Sequence, residues 1–340
     1  MCGLTYARAG VDLGKHRKMH EIAIAVFKEV ARSLGYEIRG VGGFAPYIDL
    51  LGHKLVLHVD GVGTKTLVLR RLKAMKVAGW DCVAMNVNDV ACNGARVVAL
   101  SDYVAMDAAN EEEFKDVVDG LAEAATKVGA PVVSGETAIL PGLARGVDVV
   151  CFALAVIESD FENRARVGDV VLGLESWGLH ANGYSLARKV VEDVIGSYDA
   201  VVEGVNIGSE MAKPTALYYS FLLKAVRVGY ITSATHVTGG GWSKMKRVLG
   251  TSADAVLKAP KPSKLFEVLI KYGGIELEEA YRVFNMGVGL IVTCPRSRVV
   301  DVVRLAAEEG FTSWVLGEVV PGSGAVLVEA GWHGGERFEL

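Results

Sequence analysis

The sequence predicts a two-domain protein of mixed α+β and α/β class, with one domain over residues 1–160 and a C-terminal α/β domain with a mixed sheet over 168–340. Three observations predict it. The chain has 340 residues, 51% of them apolar and 22% charged, which is length for two ordinary domains and apolar surface for a large core. Segments with helical spacing alternate with short apolar, β-branched runs along nearly the whole chain. Near Ser159 this alternation breaks into a polar stretch, SDFENRARVGD, which reads as the link between domains.

The elements follow in order. Met19 to Leu34 carries an apolar stripe at Ile22, Val26, Phe27, Val30 and Leu34, and Gly35 ends it. Leu55–Val59 reads as a buried strand, and Thr64–Met75 and Asp81–Cys92 as helices. Val97–Ala105 is a strand. Asn110 then caps a helix whose first turn holds Glu111, Glu112 and Glu113, and Asn110-x-x-Glu113 resembles a capping box. Phe114, Val117, Val118, Leu121 and Val128 form its stripe, and Gly129 and Pro131 stop it. Val132-Val133 and Val147–Ile157 are strands. The order β-α-β-α-β-β after residue 50 is close to a ferredoxin-like unit. Three strands of one sheet in a domain of this size leave a face and an edge open, which predicts a symmetric homodimer. Beyond the link, a strand at Val170–Leu174 precedes helices at 182–195, 214–228, 264–272 and 299–309, with strands at 289–294, 314–319 and 325–328.

Composition narrows the function. The formal net charge is −4 and no long basic run occurs, so nucleic acid is not an expected partner. No apolar stretch approaches membrane-spanning length and no signal-peptide pattern opens the chain, so no membrane association is expected. Cys2, Cys82, Cys92, Cys151 and Cys294 form no C-x-x-C pair, which suits a reducing cytoplasm. Glycine is the outlier at 40 residues, clustered beside acids, hydroxyls and histidines.

Those clusters carry the chemistry. In Asp60-Gly61-Val62-Gly63-Thr64-Lys65 an apolar strand enters a helix through glycines, which exposes backbone N–H groups to an anion, with a hydroxyl and a lysine beside them. The spacing is not that of a Walker A loop, and the acid at its head would repel a phosphate unless a cation stood between. A plain turn with solvated Asp60 and Lys65 is the alternative reading. Asp89 and Asn93 share one face of an otherwise apolar helix, Asp102 follows a strand, and Glu136 follows Ser134-Gly135. Four carboxylates at element ends are most economically offset by Mg²⁺. Asp60, Asp89, Asn93 and Glu136 are therefore the expected metal ligands. The second half adds GLHANGYS with His180, Asn182 and Gly183, then HVTGGGW with His236 and Gly239, Gly240 and Gly241, and FNMGVG with Asn285. His180 and His236 are either proton carriers, phosphate ligands or satisfied core residues. A helix near Ser243–Leu249 is expected to turn its N-terminus toward an anion.

DGVGTK, AMNVNDVACNGA, SGETAILPG, GLHANGYSLARKV, HVTGGGW and YRVFNMGVGL occur in that order. Together they resemble the phosphoribosylformylglycinamidine cyclo-ligase (aminoimidazole ribonucleotide synthetase) family, from AGVDLGK at Ala9 to WVLGEVV ending at Val320. The resemblance implies ferredoxin-like domains paired into a dimeric β-barrel with α/β domains outside. It implies ATP-dependent closure of formylglycinamidine ribonucleotide to aminoimidazole ribonucleotide in purine biosynthesis, with ATP and Mg²⁺ as cofactors. On it, His236, His180 and Lys65 are the expected catalytic residues. Asp60, Gly61, Gly63, Thr64, Lys65, Asp102, Gly135, Asn182, Gly239, Gly240, Gly241 and Asn285 are expected at the nucleotide. Two departures stand out. DLGKHRKMH is short, leaving Lys15 and Lys18 as candidates for the family's N-terminal lysine, and the segment after Gly42-Gly43-Phe44 diverges. Related ATP users fit less well. A selenophosphate synthetase would place a reactive Cys in its N-terminal glycine-rich loop. A hydrogenase-maturation dehydratase would end in Cys, where this sequence ends Arg-Phe-Glu-Leu. A thiamine-monophosphate kinase would pair aspartates at its first glycine loop. A non-catalytic nucleotide-binding dimer would not need Asp60, Asp89, Glu136 and Lys65 together.

Overall fold

The computed structural model describes residues 3–340. Cys2 lies outside them, and Cys82, Cys92, Cys151 and Cys294 are buried free thiols. The chain opens with α1 (Leu13–Ser33), then β1 (Tyr47–Leu50), β2 (His53–Gly61), α2 (Lys65–Arg71), α3 (Lys76–Ala91), β3 (Ala95–Met106), α4 (Glu111–Val128), β4 (Val132–Ile139) and β5 (Val147–Ile157). These strands make one mixed sheet in the order β1-β2-β5-β3-β4, parallel only between β3 and β4. The ferredoxin-like expectation needs correction. A ferredoxin-like unit runs β-α-β-β-α-β, whereas here helices follow the first two long strands and β4 and β5 come last, so β5 inserts between β2 and β3.

The second sheet has the order β14-β13-β10-β12-β6-β11-β9. Its strands are β6 (Val170–Glu175), β9 (Ser233–His236), β10 (Ala253–Lys258), β11 (Val288–Cys294), β12 (Ser313–Pro321), β13 (Val326–Ala330) and β14 (Glu336–Glu339), with β10 and β13 its parallel pair. A short ribbon, β7 (Val201–Val202) and β8 (Val205–Asn206), stands apart. The helices are α5 (Tyr184–Val190), α6 (Ile207–Met211), α7 (Tyr219–Arg227), α8 (Lys246–Leu249), α9 (Lys264–Gly273), α10 (Leu277–Val283) and α11 (Val299–Glu308).

Helix α3 is the pivot of the first half, with 13 of its 16 residues buried. A helix that is apolar almost all round must be covered on every side. On one side α4 crosses it backbone to backbone. A Cβ on Gly79 would stand 1.9 Å from Val117 O, and one on Gly120 would stand 1.9 Å from Lys76 O. Only glycine at both positions permits that approach. Asn110 caps α4 as expected by accepting from Glu113 N. Glu113 does not reciprocate as a capping box requires, because its carboxylate turns to Arg70 Nε at 2.9 Å.

On another side α3 and its neighbours grip one extended stretch of the second half. Lys65 Nζ donates to Lys213 O (2.6 Å), Thr215 N to Asp81 Oδ1 (2.6 Å), Trp80 Nε1 to Thr215 O (2.8 Å), Asn88 Nδ2 to Ala216 O (2.8 Å) and Tyr218 N to Asn88 Oδ1 (2.8 Å). The helix expected from Pro214 therefore starts only at Tyr219. The backbone groups that would close its first turn are taken by side chains of the other half.

One further expectation fails for a tertiary reason. The 64–75 helix ends at Arg71, and Lys73 has φ +54°. The apolar stripe of α1 is real, but no residue of α1 is buried, and Phe27 is 62% exposed. The open face of the first sheet is likewise apolar, with Leu57 at 72% and Val59, Val133 and Leu154 also exposed. Among the described residues no helix is long and apolar enough to cross a membrane.

Lys65 and Asp81 form a fully buried pair at 2.5 Å at the heart of the grip. Lys65→Met removes one partner and leaves an uncompensated buried carboxylate. It should destabilise the chain by about 3–5 kcal/mol. Urea unfolding followed by circular dichroism checks this, and an unchanged midpoint would contradict it.

Candidate active site

The motifs singled out from the sequence meet at a seam between the two sheets. The turn after β2 touches the start of α5 through Thr64 Oγ1 and Ser185 Oγ at 3.3 Å. The loop before α5 meets the glycine triplet, since a Cβ on Gly239 would lie 3.5 Å from Asn182 Oδ1. The strand before that triplet meets α3, where His236 Nδ1 and Asp89 Oδ1 are 2.6 Å apart. Gly63, Thr64 and Gly239 are exposed, and Gly61, Asn182 and Gly240 are half-buried, so this lip is open to a ligand. Gly63 has φ +64°, a conformation that favours glycine and turns the chain from β2 into α2.

Behind the lip lies a polar cluster. Asp89 is buried between two histidines, His236 on Oδ1 and His58 Nε2 at 3.6 Å from Oδ2. His58 Nδ1 is 2.8 Å from Asn86 Oδ1. Asn86 donates its amide to Asp60 O and Cys82 O. Lys244 hydrogen-bonds Thr238 and lies over the Phe44 ring. Burial by itself would raise Asp89, but the Lys244 charge and the bonds from His236 and His58 outweigh it and hold the carboxylate well below its usual range. Asp60 moves the other way, raised first by burial and then by the neighbouring Asp89 charge. Burial opposes protonation of His58, yet Asp89, Asn86 and Asp60 together raise it. Lys244 is lowered by burial against the pull of Asp89.

The first sheet sets the remaining acids by register. Asp60, Cys151, Asp102 and Gly135 form one row across β2, β5, β3 and β4. Neighbours in a row share a face, so Asp60 and Asp102 both point to the helix-covered side. Gly135 lacks a side chain where Asp102 sits, and a Cβ there would be 2.5 Å from Asp102 Oδ1. Burial raises Asp102. Glu136 is inside β4 rather than after a strand, one position further along. Its side chain therefore belongs to the open face, opposite Asp60 and Asp102.

Several expected site residues have partners within the protein. Lys65 points away from the turn into the core, where burial lowers it despite Asp81. Asn93 donates to Ala45 O and accepts from Asn163 Nδ2, so it is not beside Asp89's carboxylate. Asn285 is occupied by Gly178 O, Ser176 Oγ and Gly287 N. Gly241 leaves room for Tyr281 O, which would be 2.0 Å from its Cβ. His180 is fully buried with φ +61°, and burial with the His236 and Lys65 charges holds it neutral. The helix expected at Ser243–Leu249 is a 3₁₀ turn, Gly241–Met245, followed by the four residues of α8. It is too short to offer an anion a helix N-terminus.

The four proposed metal ligands do not fit one centre. The Asp89 charge raises Asp60, but Glu136 is on the other face and Asn93 is engaged elsewhere. Among the described residues no three His, Cys, Asp or Glu side chains converge as a metal site. Sequence reading missed His58, Asn86, Lys244 and Asp81. His58 was within reach of it, since it lies two residues before Asp60 on the same strand face. Asn86 was also, because it stands three residues before Asp89 on α3 and so shares a side with it.

The family model described as AIR synthase related protein, N-terminal domain, matches residues 45–157, and its C-terminal counterpart matches 166–329. The chain is 38% identical over 323 residues to the phosphoribosylformylglycinamidine cyclo-ligase of Saccharolobus solfataricus, covering 95% of each. It is 37% identical over 333 residues to that of Thermococcus kodakarensis, covering 96% of this chain and 98% of the relative. Among solved structures, hydrogenase maturation protein HypE in complex with ATP superposes with TM-score 0.63 at 20% identity, covering 86% of this chain and 85% of that one. A ThiL protein complexed with AMPPCP and TMP gives TM-score 0.63 at 16% identity, covering 90% and 92%. At these identities the two structures share the fold.

Asp89 contributes stability that is present above the ordinary carboxylate range and lost as pH falls through its depressed native value. Asp89→Asn should therefore unfold at lower urea than the parent at pH 7. The gap should narrow below about pH 4, the usual carboxylate range. A gap independent of pH would show that Asp89 titrates normally.

Proposed function

The chain belongs to the phosphoribosylformylglycinamidine cyclo-ligase family, and on that footing we propose that it closes formylglycinamidine ribonucleotide to aminoimidazole ribonucleotide in purine biosynthesis, converting ATP to ADP and phosphate. The observation that carries the reading is the seam. Loops far apart in sequence, DGVGTK, HANGYS and HVTGGG, come together around Asp60, Asp89 and His236. The two fold relatives with bound nucleotide support ATP as the second substrate. We place the reaction in the cytoplasm, where its small-molecule substrates are.

The chemistry follows from what the reaction requires. The formyl oxygen takes the γ-phosphoryl group, which turns a poor leaving oxygen into phosphate. The ribose-bearing amidine nitrogen then attacks the formyl carbon, loses a proton, and phosphate departs. Gly61, Gly63 and Thr64 offer backbone and hydroxyl donors to phosphate on one side of the seam, with Asn182, Gly239 and Gly240 on the other. Asp89, held toward its anionic form, and the buried His236 fix the floor of that site. Lys244 supplies positive charge beside the glycine triplet. Asp102 and Gly135 extend the Asp60 row. Magnesium would arrive with the nucleotide and neutralise phosphate charge. No step is assigned to it, because the expected ligands do not form one centre.

The homodimer belongs to the same proposal. The open sheet face carries Leu57, Val59, Val133 and Leu154 in the solvent, together with Glu136. A second copy stacked on that face would bury the apolar strip and close the open sheet.

Two measurements test these statements. Phosphate release from ATP should depend on formylglycinamidine ribonucleotide. ATP hydrolysis indifferent to that substrate would leave the chain among the other ATP users of the fold. In light scattering the protein should have twice its chain mass, and Leu57→Asp should shift it toward the monomer. A wild-type monomer at micromolar concentration would rule out the dimer.

A further inference from the structure

We infer that Arg247 and Lys244, held on the ring of Phe44 at the edge of the seam, form a subsite for a phosphate monoester, the ribose 5′-phosphate of the substrate. None of the motifs singled out from the sequence extends to Arg247. The subsite rests on the proposed cyclisation only for the identity of the molecule that carries the phosphate.

Two cations share one aromatic ring here. Lys244 Nζ lies 5.6 Å from the Phe44 ring centroid, and Arg247 Cζ lies 5.1 Å from it. The ring attracts each of them. Like charges held this close repel, and the Arg247 charge is felt at Lys244. Among the described residues neither closes an ion pair with a carboxylate. The bonds they make go to neutral oxygens instead. Lys244 donates to Thr238 Oγ1, and Arg247 Nη1 donates to Gly43 O at 3.3 Å. A guanidinium presents five N–H donors in a rigid fork and keeps its charge in any working buffer. Most of the Arg247 fork is therefore open to an anion.

The ring that carries them is fixed by both halves of the chain. Phe44 is 3% exposed. Its neighbour Ala45 accepts from Asn93 Nδ2 at 2.9 Å, Asn163 Nδ2 reaches Asn93 Oδ1 at 3.3 Å, and Asn163 also bonds both backbone groups of Ala234. The loop before the ring turns tightly, with Gly43 N donating to Gly40 O at 3.1 Å. Gly42 has φ +93°, and the space where its side chain would stand is open. Lys244 follows Gly239–Gly241 closely, which sets the pair beside that side of the lip. Charge selects the ligand. A nucleotide triphosphate brings magnesium to offset its own charge. A ribose phosphate has no such companion, and a phosphate monoester carries about −1.5 to −2 at neutral pH. Two cations without carboxylates, one of them the fork that grips phosphate oxygens in pairs, match that charge.

Ribose 5-phosphate is the probe, titrated by calorimetry at low salt. The wild-type protein should bind it at millimolar concentration and should not bind ribose over the same range. Arg247→Ala should weaken binding about tenfold or more, the loss of a hydrogen bond to a charged group. Arg247→Lys should fall between the two, because it keeps the charge and loses the fork. Lys246→Ala removes the adjacent exposed cation and should bind like wild type. Arg247 is exposed, so each variant should melt close to wild type by circular dichroism. In the cyclisation assay Arg247→Ala should raise KM for formylglycinamidine ribonucleotide about tenfold or more, with kcat within about threefold and KM for ATP within about twofold. No wild-type binding of ribose 5-phosphate, equal binding of ribose, an equal loss in Lys246→Ala, or an unchanged Arg247→Ala would each overturn the subsite. A rise in KM confined to ATP would give the pair to a nucleotide phosphate and overturn the ribose phosphate assignment. If the folded protein cyclises nothing, the reaction reading falls, and the ribose 5-phosphate titration alone decides on the subsite.

Discussion

The buried pair of Lys65 and Asp81 ties the two halves of the chain into one site. Neither side chain has access to solvent, and each also binds backbone of the 213–218 stretch, Lys65 through Lys213 O and Asp81 through Thr215 N. A buried ion pair is stabilised only when its spare donors and acceptors are met, and here the backbone of the other half meets them. Trp80 and Asn88 lengthen the same grip along α3. One helix thus carries core packing for the first sheet, the interlock with the second half, and Asp89 at the seam.

That economy restricts the chemistry. Because α3 is enclosed, Asp89 can stay charged only with partners, and His58, His236 and Lys244 provide them. Asp60, close by but at a strand end, takes the opposite shift. Two neighbouring carboxylates are thereby separated in character by their surroundings, one held toward the anion and one easier to protonate. Glycine completes the geometry where backbone must approach. Gly79 and Gly120 let α4 lie against α3, and Gly289 leaves room for the Tyr218 hydroxyl and the His180 ring, either of which would be within 2.3 Å of a Cβ.

The surface has the reverse character. Helix α1 carries a regular apolar stripe and buries none of it, and the first sheet leaves Leu57 and Val59 facing water. Exposed apolar surface of this extent is the kind that marks an interaction site. Glu136 lies on the open sheet face rather than beside Asp60.

The sequence by itself determined where the strands and helices of strong periodicity lie. Asn110 and Gly129 bound α4, Val147–Ile157 is β5 to the residue, and 264–272 and 299–309 are helices within a residue. These depend on local capping and alternation, which a short window contains. It also determined the family and the loops that meet at the seam, because each loop joins residue types that local folding alone does not require. Tertiary structure decided the rest. Lys65 turns from the glycine loop to Asp81 and to Lys213 O, 148 residues away, Pro214 begins no helix because Asp81, 134 residues from Thr215, takes the backbone there, and the face of β4 that carries Glu136 is set by strand register. The strand order was beyond reach for the same reason, since nothing local tells β5 to insert between β2 and β3. His58 shows the boundary most clearly. Its strand face was readable, but its surroundings exist only where α3 and β9 bring Asn86, Asp89 and His236 together.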